Sequence, residues 1–322
     1  MIELSKSPLV TFILVGYNQE SFIREAISAA FTQTYSPLEI ILSDDHSSDH
    51  TFELMRQAAD AYEGPHQVVL NKTESNLGLA GNLNQCLELS RGGLIVIAAG
   101  DDVSCPDRTT KLVQRLLSTE EPVDMVCSYF EEIDEKSRPT GFVKEHVMFV
   151  PDMAMPVLNW KCGATGACVA YNRILFDKYG PLDRRVISED WVFAFRAWLE
   201  NGIALVKEPL VKHRTHSESI SVMTRQLSKL PNRDDRYRRR RKLQAGSLGI
   251  AEEWLKAWRN ARPGDSTKIE GDLEELVQLR RAQYEAFEAS PFQVVRMAWK
   301  VQQLGGGIMA LKMLVRHVFG VY

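Results

Sequence analysis

The feature that most constrains this fold is the alternation of short apolar runs with segments of helical periodicity over the first hundred residues. Each of the first three runs is followed by a segment whose apolar residues recur at helical spacing. The runs lie at residues 9–15, 38–42, 67–70 and 94–99. Strands joined by helices in this way predict an α/β fold with a parallel sheet covered by helices on both faces.

The second hundred residues continue this pattern less regularly. Strand-length runs with poor polar and apolar alternation predict that the sheet becomes mixed. We expect strands at 123–130, 142–150, 203–206 and 210–214, and helices at 106–118 and 188–202. Ser188 can cap the second helix, and Gly202 suits the position just after a helix end.

The composition changes near residue 222. Residues 225–242 contain nine Lys or Arg and two Asp, and the remaining eighty residues read as helices separated by Pro263, Pro291 and a glycine run. We therefore predict one domain at 1–222 and a basic, helical C-terminal region at 223–322.

Whole-chain properties exclude several classes of protein. The 322 residues include 39 basic and 42 acidic ones, so the net charge gives no basis for nucleic-acid binding. The five cysteines lack metal-ligand spacing and are expected to be reduced thiols. No signal-peptide pattern and no apolar run of about 20 residues is present. We expect a cytoplasmic protein whose membrane contact, if any, is peripheral.

Two adjacent carboxylate pairs follow strands of the parallel sheet. Asp44 and Asp45 follow the second strand, and Asp101 and Asp102 follow the fourth. Such residues are often turn formers or helix caps. The alternative is a hard divalent cation, which commonly binds one or two carboxylates together with substrate phosphates. Neither GxGxxG nor GxxxxGK[ST] follows the first strand, so metal would have to neutralise any phosphate charge.

An ordered set of motifs resembles the family 2 glycosyltransferases of the GT-A fold. The motifs are YNQE at 17–20, SDDHSSDHT at 43–51, NLGLAGNLN at 76–84, GDD at 100–102, ED at 189–190 and HRTHSESIS at 213–221. Their order and approximate spacing follow the family, and the resemblance covers about two-thirds of the chain, from Leu9 to Ser221.

The resemblance implies a Rossmann-like GT-A sheet and a set of site residues. Val15, Tyr17, Asp45 and Asp101 look like contacts to the nucleotide-sugar donor, with Tyr17 and Asp45 at the base and Asp101 at the ribose or near the metal. Asp102 looks like the ligand of the divalent cation, Mg²⁺ or Mn²⁺. Asp190 looks like the catalytic base, although it could instead only complement a helix macrodipole.

The chain departs from the family at two places. Many relatives carry an Asp where this chain has Ala99, and the family's Tyr-Arg-x-His becomes His213-Arg214-Thr215-His216. The resemblance leaves His216 as a third metal ligand or diphosphate contact and Arg214 as a phosphate partner. The alternative for this pair is a solvated basic strand end.

We interpret the chain as an inverting, metal-dependent glycosyltransferase of hexosyltransferase type. Its donor would be a nucleotide sugar, its acceptor a glycan or lipid-linked glycan, and its pathway bacterial surface polysaccharide synthesis of O-antigen or capsule type. A sugar nucleotidyltransferase and a noncatalytic glycan-binding or scaffold protein are the alternatives. The missing GxGxxG disfavours a dinucleotide oxidoreductase.

The C-terminal segment combines basic and apolar residues at helical spacing. Arg296 and Lys300, then Lys312 and Arg316, are four residues apart, and no acidic residue occurs from Pro291 to the last residue. Such a face usually packs on its own domain. The alternative is docking on an anionic membrane, at the inner face of the cell membrane.

Overall fold

The computed structural model describes residues 7–118, 122–145, 164–216, 219, 232–261, 268–286 and 291–303. The chain forms two compact units. The described residues of the first lie within 1–150, 161–184 and 188–216, and those of the second within 185–187 and 217–322. The domain boundary expected at residue 222 falls outside the described residues and stays a prediction.

The first half of the sheet is parallel, as predicted. Its strands lie in the order β3-β2-β1-β4. They are β1 (Val10–Gly16), β2 (Leu38–Asp44), β3 (Gln67–Lys72) and β4 (Leu94–Ala99), connected by α1 (Ile23–Phe31), α2 (Thr51–Asp60) and α3 (Gly78–Leu89). Both β1 and β2 are buried along their whole length. Burial on both faces explains why apolar residues predominate in both strands.

The second half of the sheet is mixed, which also confirms the prediction. It adds β5 (Val103–Ser104), β6 (Met125–Ile133), β7 (Pro139–Lys144), β8 (Val169–Asn172) and β9 (Ile203–Arg214). From β4 the order continues β8-β6-β9-β5, and β7 pairs with β6. The helices of this half are α4 (Arg108–Leu117), α5 (Ile174–Asp177) and α6 (Glu189–Leu199), and a short 3₁₀ turn, Gly166–Cys168, precedes β8.

Two strand predictions were wrong in detail. The runs at 203–206 and 210–214 belong to the single strand β9, because β6 accommodates the polar residues between them by register shifts around Tyr129. The strand expected at 142–150 begins at Pro139 and ends at Lys144, and 146–150 lie outside the described residues. All six residues of β7 are exposed, so its apolar pattern gives little signal.

The core lies between the sheet and its covering helices. Phe12, Ile40 and Val96 are completely buried in the strands, and Ile23 and Leu112 are completely buried in α1 and α4. Each such side chain stabilises the fold by about 1.5–3 kcal/mol relative to exposure. Free thiols are described for Cys86, Cys105, Cys127 and Cys168, whereas Cys162 lies outside the described residues.

The second unit consists mainly of helices in its described parts, as the sequence predicts. Its helices are α7 (Arg233–Ala261), α8 (Lys268–Glu285) and α9 (Pro291–Gln303). Trp254 and Trp258 of α7, with Leu273 and Leu276 of α8, form its buried core. Among the described residues, we find no helix with the length and apolar character required to cross a membrane.

Candidate active site

The loops that follow β1, β2 and β4 are held together at one edge of the sheet. The Asp45 N–H donates to the carbonyl of Gly16 at 2.9 Å, and the Gly100 N–H donates to the carbonyl of Val15 at 2.8 Å. Val15 is buried at the end of β1. The carboxyl ends of parallel strands are where open α/β sheets bind ligands, so this edge is the candidate site.

Tyr17 lies on a loop that the neighbouring loop anchors. The N–H of Asn18 donates to Ser47 Oγ at 2.9 Å, and the N–H of Gln19 donates to Thr51 Oγ1 at 2.7 Å. The Tyr17 side chain is nevertheless 47% exposed. An accessible aromatic ring on a fixed loop is suited to stacking against a nucleotide base.

Asp45 is buried at the end of β2. Its Oδ1 accepts hydrogen bonds from the Leu77 N–H at 2.8 Å and from Thr73 Oγ1 at 3.2 Å. Burial raises the pKa of Asp45, and these hydrogen bonds oppose that rise. Asp45 therefore joins the β2 end to the loop before α3, and the base contact that the resemblance implies for it stays a prediction.

Asp101 and Asp102 are brought close to the end of β9 by strand pairing. The turn that contains them leads into β5, which pairs with β9. Asp102 is 5% exposed, and its Oδ1 accepts the Arg214 N–H at 2.8 Å. His216 Nε2 lies 3.0 Å from Asp101 Oδ2. The structure thus brings together the three residues for which a metal contact was predicted.

These groups fit a divalent cation that the substrate helps to bind. Within the described ranges, no three His, Cys, Asp or Glu side chains form a preassembled metal site. A hard cation commonly uses only one or two carboxylates and completes its coordination with water and substrate phosphates. Burial and the neighbouring Asp101 raise the pKa of Asp102 well above its usual range, and a nearby cation would offset that cost of ionisation.

Arg214 is committed to contacts within the protein. Its side chain is 1% exposed. Nε donates to the Asp101 carbonyl at 2.8 Å, Nη1 to Ser137 Oγ at 2.9 Å, and Nη2 to Glu25 Oε2 at 3.0 Å. The guanidinium also lies 4.8 Å from the centroid of the Phe22 ring. These contacts join β9 to the Asp101 turn, α1 and the β6–β7 turn.

A second buried arginine, Arg108, supports the same turn and was missed in the sequence. Its Nη1 donates to Ser104 Oγ at 2.9 Å and its Nη2 to the Ile97 carbonyl at 2.7 Å. Arg108 is completely buried, and its charge counteracts the raised pKa of Asp102. An arginine at a helix start is usually solvated, so only the tertiary structure reveals this residue.

Glu189 and Asp190 form the first turn of α6. Ser188 is the N-cap, but its side chain makes no capping hydrogen bond, and Asp190 Oδ1 accepts the Trp191 N–H at 3.0 Å. Burial raises the pKa of both carboxyl groups, and the charge of Asp190 adds to the rise for Glu189. A carboxylate with a raised pKa is matched to general-base work near neutral pH.

The 3₁₀ turn before β8 lies beside the first turn of α6. A Cβ added at Gly166 would lie 2.1 Å from Glu189 Oε1, so a larger residue here would displace the Glu189 carboxylate. Burial raises the pKa of the nearby Cys168 thiol well above its usual range, and the charges of Asp102 and Asp190 both contribute.

Relatives in sequence match about two-thirds of the chain. The Mycobacterium tuberculosis protein Rv1520 is 27% identical over 222 residues, which is 66% of this chain and 60% of the relative. An uncharacterized glycosyltransferase of Haemophilus influenzae is 28% identical over 231 residues, which is 68% of this chain and 69% of the relative. The match thus spans only 60% of the length of the mycobacterial relative.

Solved structures show the same fold at low sequence identity. TarS 1-349 of S. aureus, in complex with UDP-GlcNAc, has a TM-score of 0.54 and 15% identity, with 97% of this chain and 92% of TarS covered. The mannosyltransferase PcManGT of Pyrobaculum calidifontis, in complex with GDP-Man and Mn²⁺, has a TM-score of 0.52 and 16% identity, with 98% and 88% covered.

The family is shown by the match to the sequence pattern of a whole family. The sequence pattern of glycosyl transferase family 2 covers residues 11–180, more than half of the chain, and the mixed α/β sheet with flanking helices has the GT-A architecture. The chain therefore belongs to glycosyl transferase family 2.

Proposed function

We propose that this protein is an inverting, metal-dependent glycosyltransferase that moves a hexosyl group from a nucleotide sugar to an acceptor hydroxyl. The observation that carries the proposal is the cluster at the carboxyl ends of the strands, where Asp102 Oδ1 accepts the Arg214 N–H at 2.8 Å and His216 Nε2 lies 3.0 Å from Asp101 Oδ2. Asp102 suits a metal ion, and Asp190, whose pKa is raised by burial, suits a general base. Family membership supports the proposal, as do the nucleotide sugars bound to TarS and PcManGT.

The donor would be held at the edge formed by the β1, β2 and β4 loops. Tyr17 would stack on the base, with Val15 and Asp45 beside it and Asp101 at the ribose. Asp102 and His216 would hold Mg²⁺ or Mn²⁺, which when bound stabilises negative charge on the departing diphosphate. Arg214 would position the Asp101 turn through its hydrogen bonds.

Asp190 would act as the base. As the acceptor oxygen attacks the anomeric carbon, the carboxylate takes the hydroxyl proton and the bond to the leaving diphosphate breaks on the opposite face. Attack from the opposite face inverts the anomeric centre. The partly buried first turn of α6, where Asp190 accepts the Trp191 N–H, keeps the carboxylate in place.

The acceptor would be a glycan or lipid-linked glycan in the synthesis of a bacterial surface polysaccharide, O-antigen or capsule type. The protein would act in the cytoplasm, with peripheral contact to the inner face of the membrane. An acceptor anchored on a lipid carrier would explain a cytoplasmic enzyme that contacts the membrane, because the growing polysaccharide then stays at the membrane surface.

A ligand screen followed by one substitution tests the proposal. Thermal unfolding is measured with nucleoside diphosphates and nucleotide sugars, each with and without Mn²⁺ or Mg²⁺, since a ligand that binds the native state raises its stability. We expect a metal-dependent shift that is lost in Asp102→Asn, because the amide keeps the shape but removes the charge a hard cation requires. Unchanged Mn²⁺-dependent affinity in this variant would remove Asp102 from the metal site, and absence of any sugar-nucleotide turnover would favour a noncatalytic protein.

A further inference from the structure

The basic run at 236–241 is distributed around the helix α7, and one part of it faces a cavity. A cavity of about 220 Å³ lies in the second unit between α7 and α8. It is lined by Tyr237, Arg238, Arg241, Lys242, Ala245 and Tyr284. Helical spacing explains this set, because residues four apart lie on one face of α7. The run is thus more than a uniformly solvated surface.

The lining combines positive charge with aromatic rings. Three of its six side chains are cationic and none is a carboxylate. The Arg241 guanidinium lies 5.5 Å from the centroid of the Tyr284 ring, which holds it at the wall. Arg238 and Lys242 are exposed. In the described part of the second unit, no carboxylate lies within ion-pair distance of these two side chains.

Several basic side chains elsewhere in the second unit are paired with carboxylates. Arg259 pairs with Glu270 at 2.8 Å, and Glu252 pairs with Arg281 at 2.7 Å and with Arg185 at 2.5 Å. These basic side chains are neutralised within the protein, whereas Arg238 and Lys242 at the cavity are available to an external anion. The concentration of unneutralised charge at a concave site indicates a ligand rather than only a solubilising surface.

Charge and size together define the ligand. Guanidinium groups form paired hydrogen bonds to phosphate oxygens, and lysine adds a mobile point charge. The cavity volume is below the roughly 300–1,000 Å³ of pockets that enclose drug-sized ligands, so the cavity suits a phosphate headgroup and is too small for a whole nucleotide sugar.

We propose that this cavity binds the diphosphate group of a lipid-linked acceptor. The lipid assignment rests on the proposed function, whereas the diphosphate chemistry rests on the cavity alone.

Binding of inorganic pyrophosphate to the full-length protein tests the site directly. Titration calorimetry is done with EDTA at low salt, so that binding through a divalent cation at the donor site is suppressed. We expect saturable binding that weakens as salt is raised. Arg238→Gln and Lys242→Gln should each raise the dissociation constant about tenfold, as loss of a charged hydrogen bond does.

Two further variants separate a site from bulk charge. Arg239→Gln removes the same charge from the same run at a position outside the lining, and it should leave pyrophosphate affinity unchanged. Ala245→Leu keeps every charge but fills the cavity, and it should weaken binding. Equal affinity for pyrophosphate in Arg238→Gln, Lys242→Gln and the parent protein would overturn the proposal, as would equal losses in all the arginine and lysine variants.

Vesicles distinguish the lipid source from free phosphate. The protein is sedimented with neutral phosphatidylcholine vesicles, with and without a prenyl diphosphate. We expect binding only when the diphosphate lipid is present, reduced by Lys242→Gln and not by Arg239→Gln. Binding of pyrophosphate without binding of these vesicles would overturn the lipid assignment. Binding of both, in a protein that neither binds nor turns over any nucleotide sugar, would leave the cavity site standing and reject the proposed transferase.

Discussion

Asp190 is the predicted catalytic base, and burial changes its pKa. Its pKa is raised chiefly because burial penalises the charged form. A base must be ionised to accept a proton, so kcat should fall as pH drops through a value above the ordinary carboxyl range. Asp190→Asn should keep donor affinity while lowering kcat about 10²-fold or more. A rate and an affinity that fall together would assign Asp190 to binding instead.

The stability of the native state should fall as pH rises, whereas kcat should rise. The native carboxyl holds its proton to higher pH than the unfolded one, so its protonated form stabilises the native state, and that stability is lost as pH rises through the raised pKa. Asp190→Asn should therefore gain stability relative to the parent protein as pH increases, measured by thermal unfolding in the metal-free protein. Glu63→Gln, which removes an exposed carboxylate, serves as the control, and an equal gain in this variant would contradict the role of burial at Asp190.

At the scale of elements, Arg214 joins three segments around the candidate metal site. Arg214→Lys keeps the charge but loses the fork that reaches Asp101, Ser137 and Glu25. Hydrogen bonds of a buried charged group contribute about 1.5–3 kcal/mol each, so the unfolding free energy should fall by about 2–4 kcal/mol. Metal-dependent nucleotide affinity should weaken as well, because the Asp101 turn loses its support.

The control is an arginine beside the same β6–β7 turn. Arg138 pairs with Asp134 at 2.7 Å and its side chain is 70% exposed, so Arg138→Lys should change stability by less than about 1 kcal/mol. Denaturant unfolding and metal-dependent nucleotide titration provide the two measurements. If Arg214→Lys keeps full stability but loses nucleotide affinity even without metal, Arg214 contacts phosphate rather than positioning the turn.

At the scale of the whole molecule, the C-terminal helix α9 presents a mixed surface. Val294 and Ala298 are buried, whereas Val295 is 55% and Trp299 64% exposed, and Arg296 is exposed beside them. The side chain of Lys300, together with Lys312 and Arg316, lies outside what the structure describes. Exposed aromatic and basic groups on one helix are typical of interfacial binding.

We expect the full-length protein to co-sediment with anionic vesicles at low salt and to be partly released as salt rises. Each basic residue near an anionic surface contributes about 1 kcal/mol. Trp299→Ala combined with Arg296→Gln should therefore reduce the bound fraction. Lys256→Gln, which removes a charge paired with Glu253, should not. Protein that stays in the supernatant at low salt would reject membrane docking.

The sequence by itself determined which strands and helices form the parallel half of the sheet, in their order along the chain. Continuous apolar strands and amphipathic helices are local patterns, and β1, β2 and β4 follow them closely. It also indicated which acidic residues lie at the strand ends, because chain order and the parallel rule place Asp45 and Asp102 at one edge. Segments without such patterns, such as the exposed β7, were predicted poorly.

Only the tertiary structure decided which distant residues meet. The pairing of β5 with β9 brings His216 to Asp101 across more than a hundred residues, and no local pattern encodes such a pairing. The buried positions of Arg108 and Arg214 depend on the same packing, because an arginine enters a core only where carbonyls and carboxylates surround it. Periodicity reports which face of an element is buried; it does not report what that face contacts.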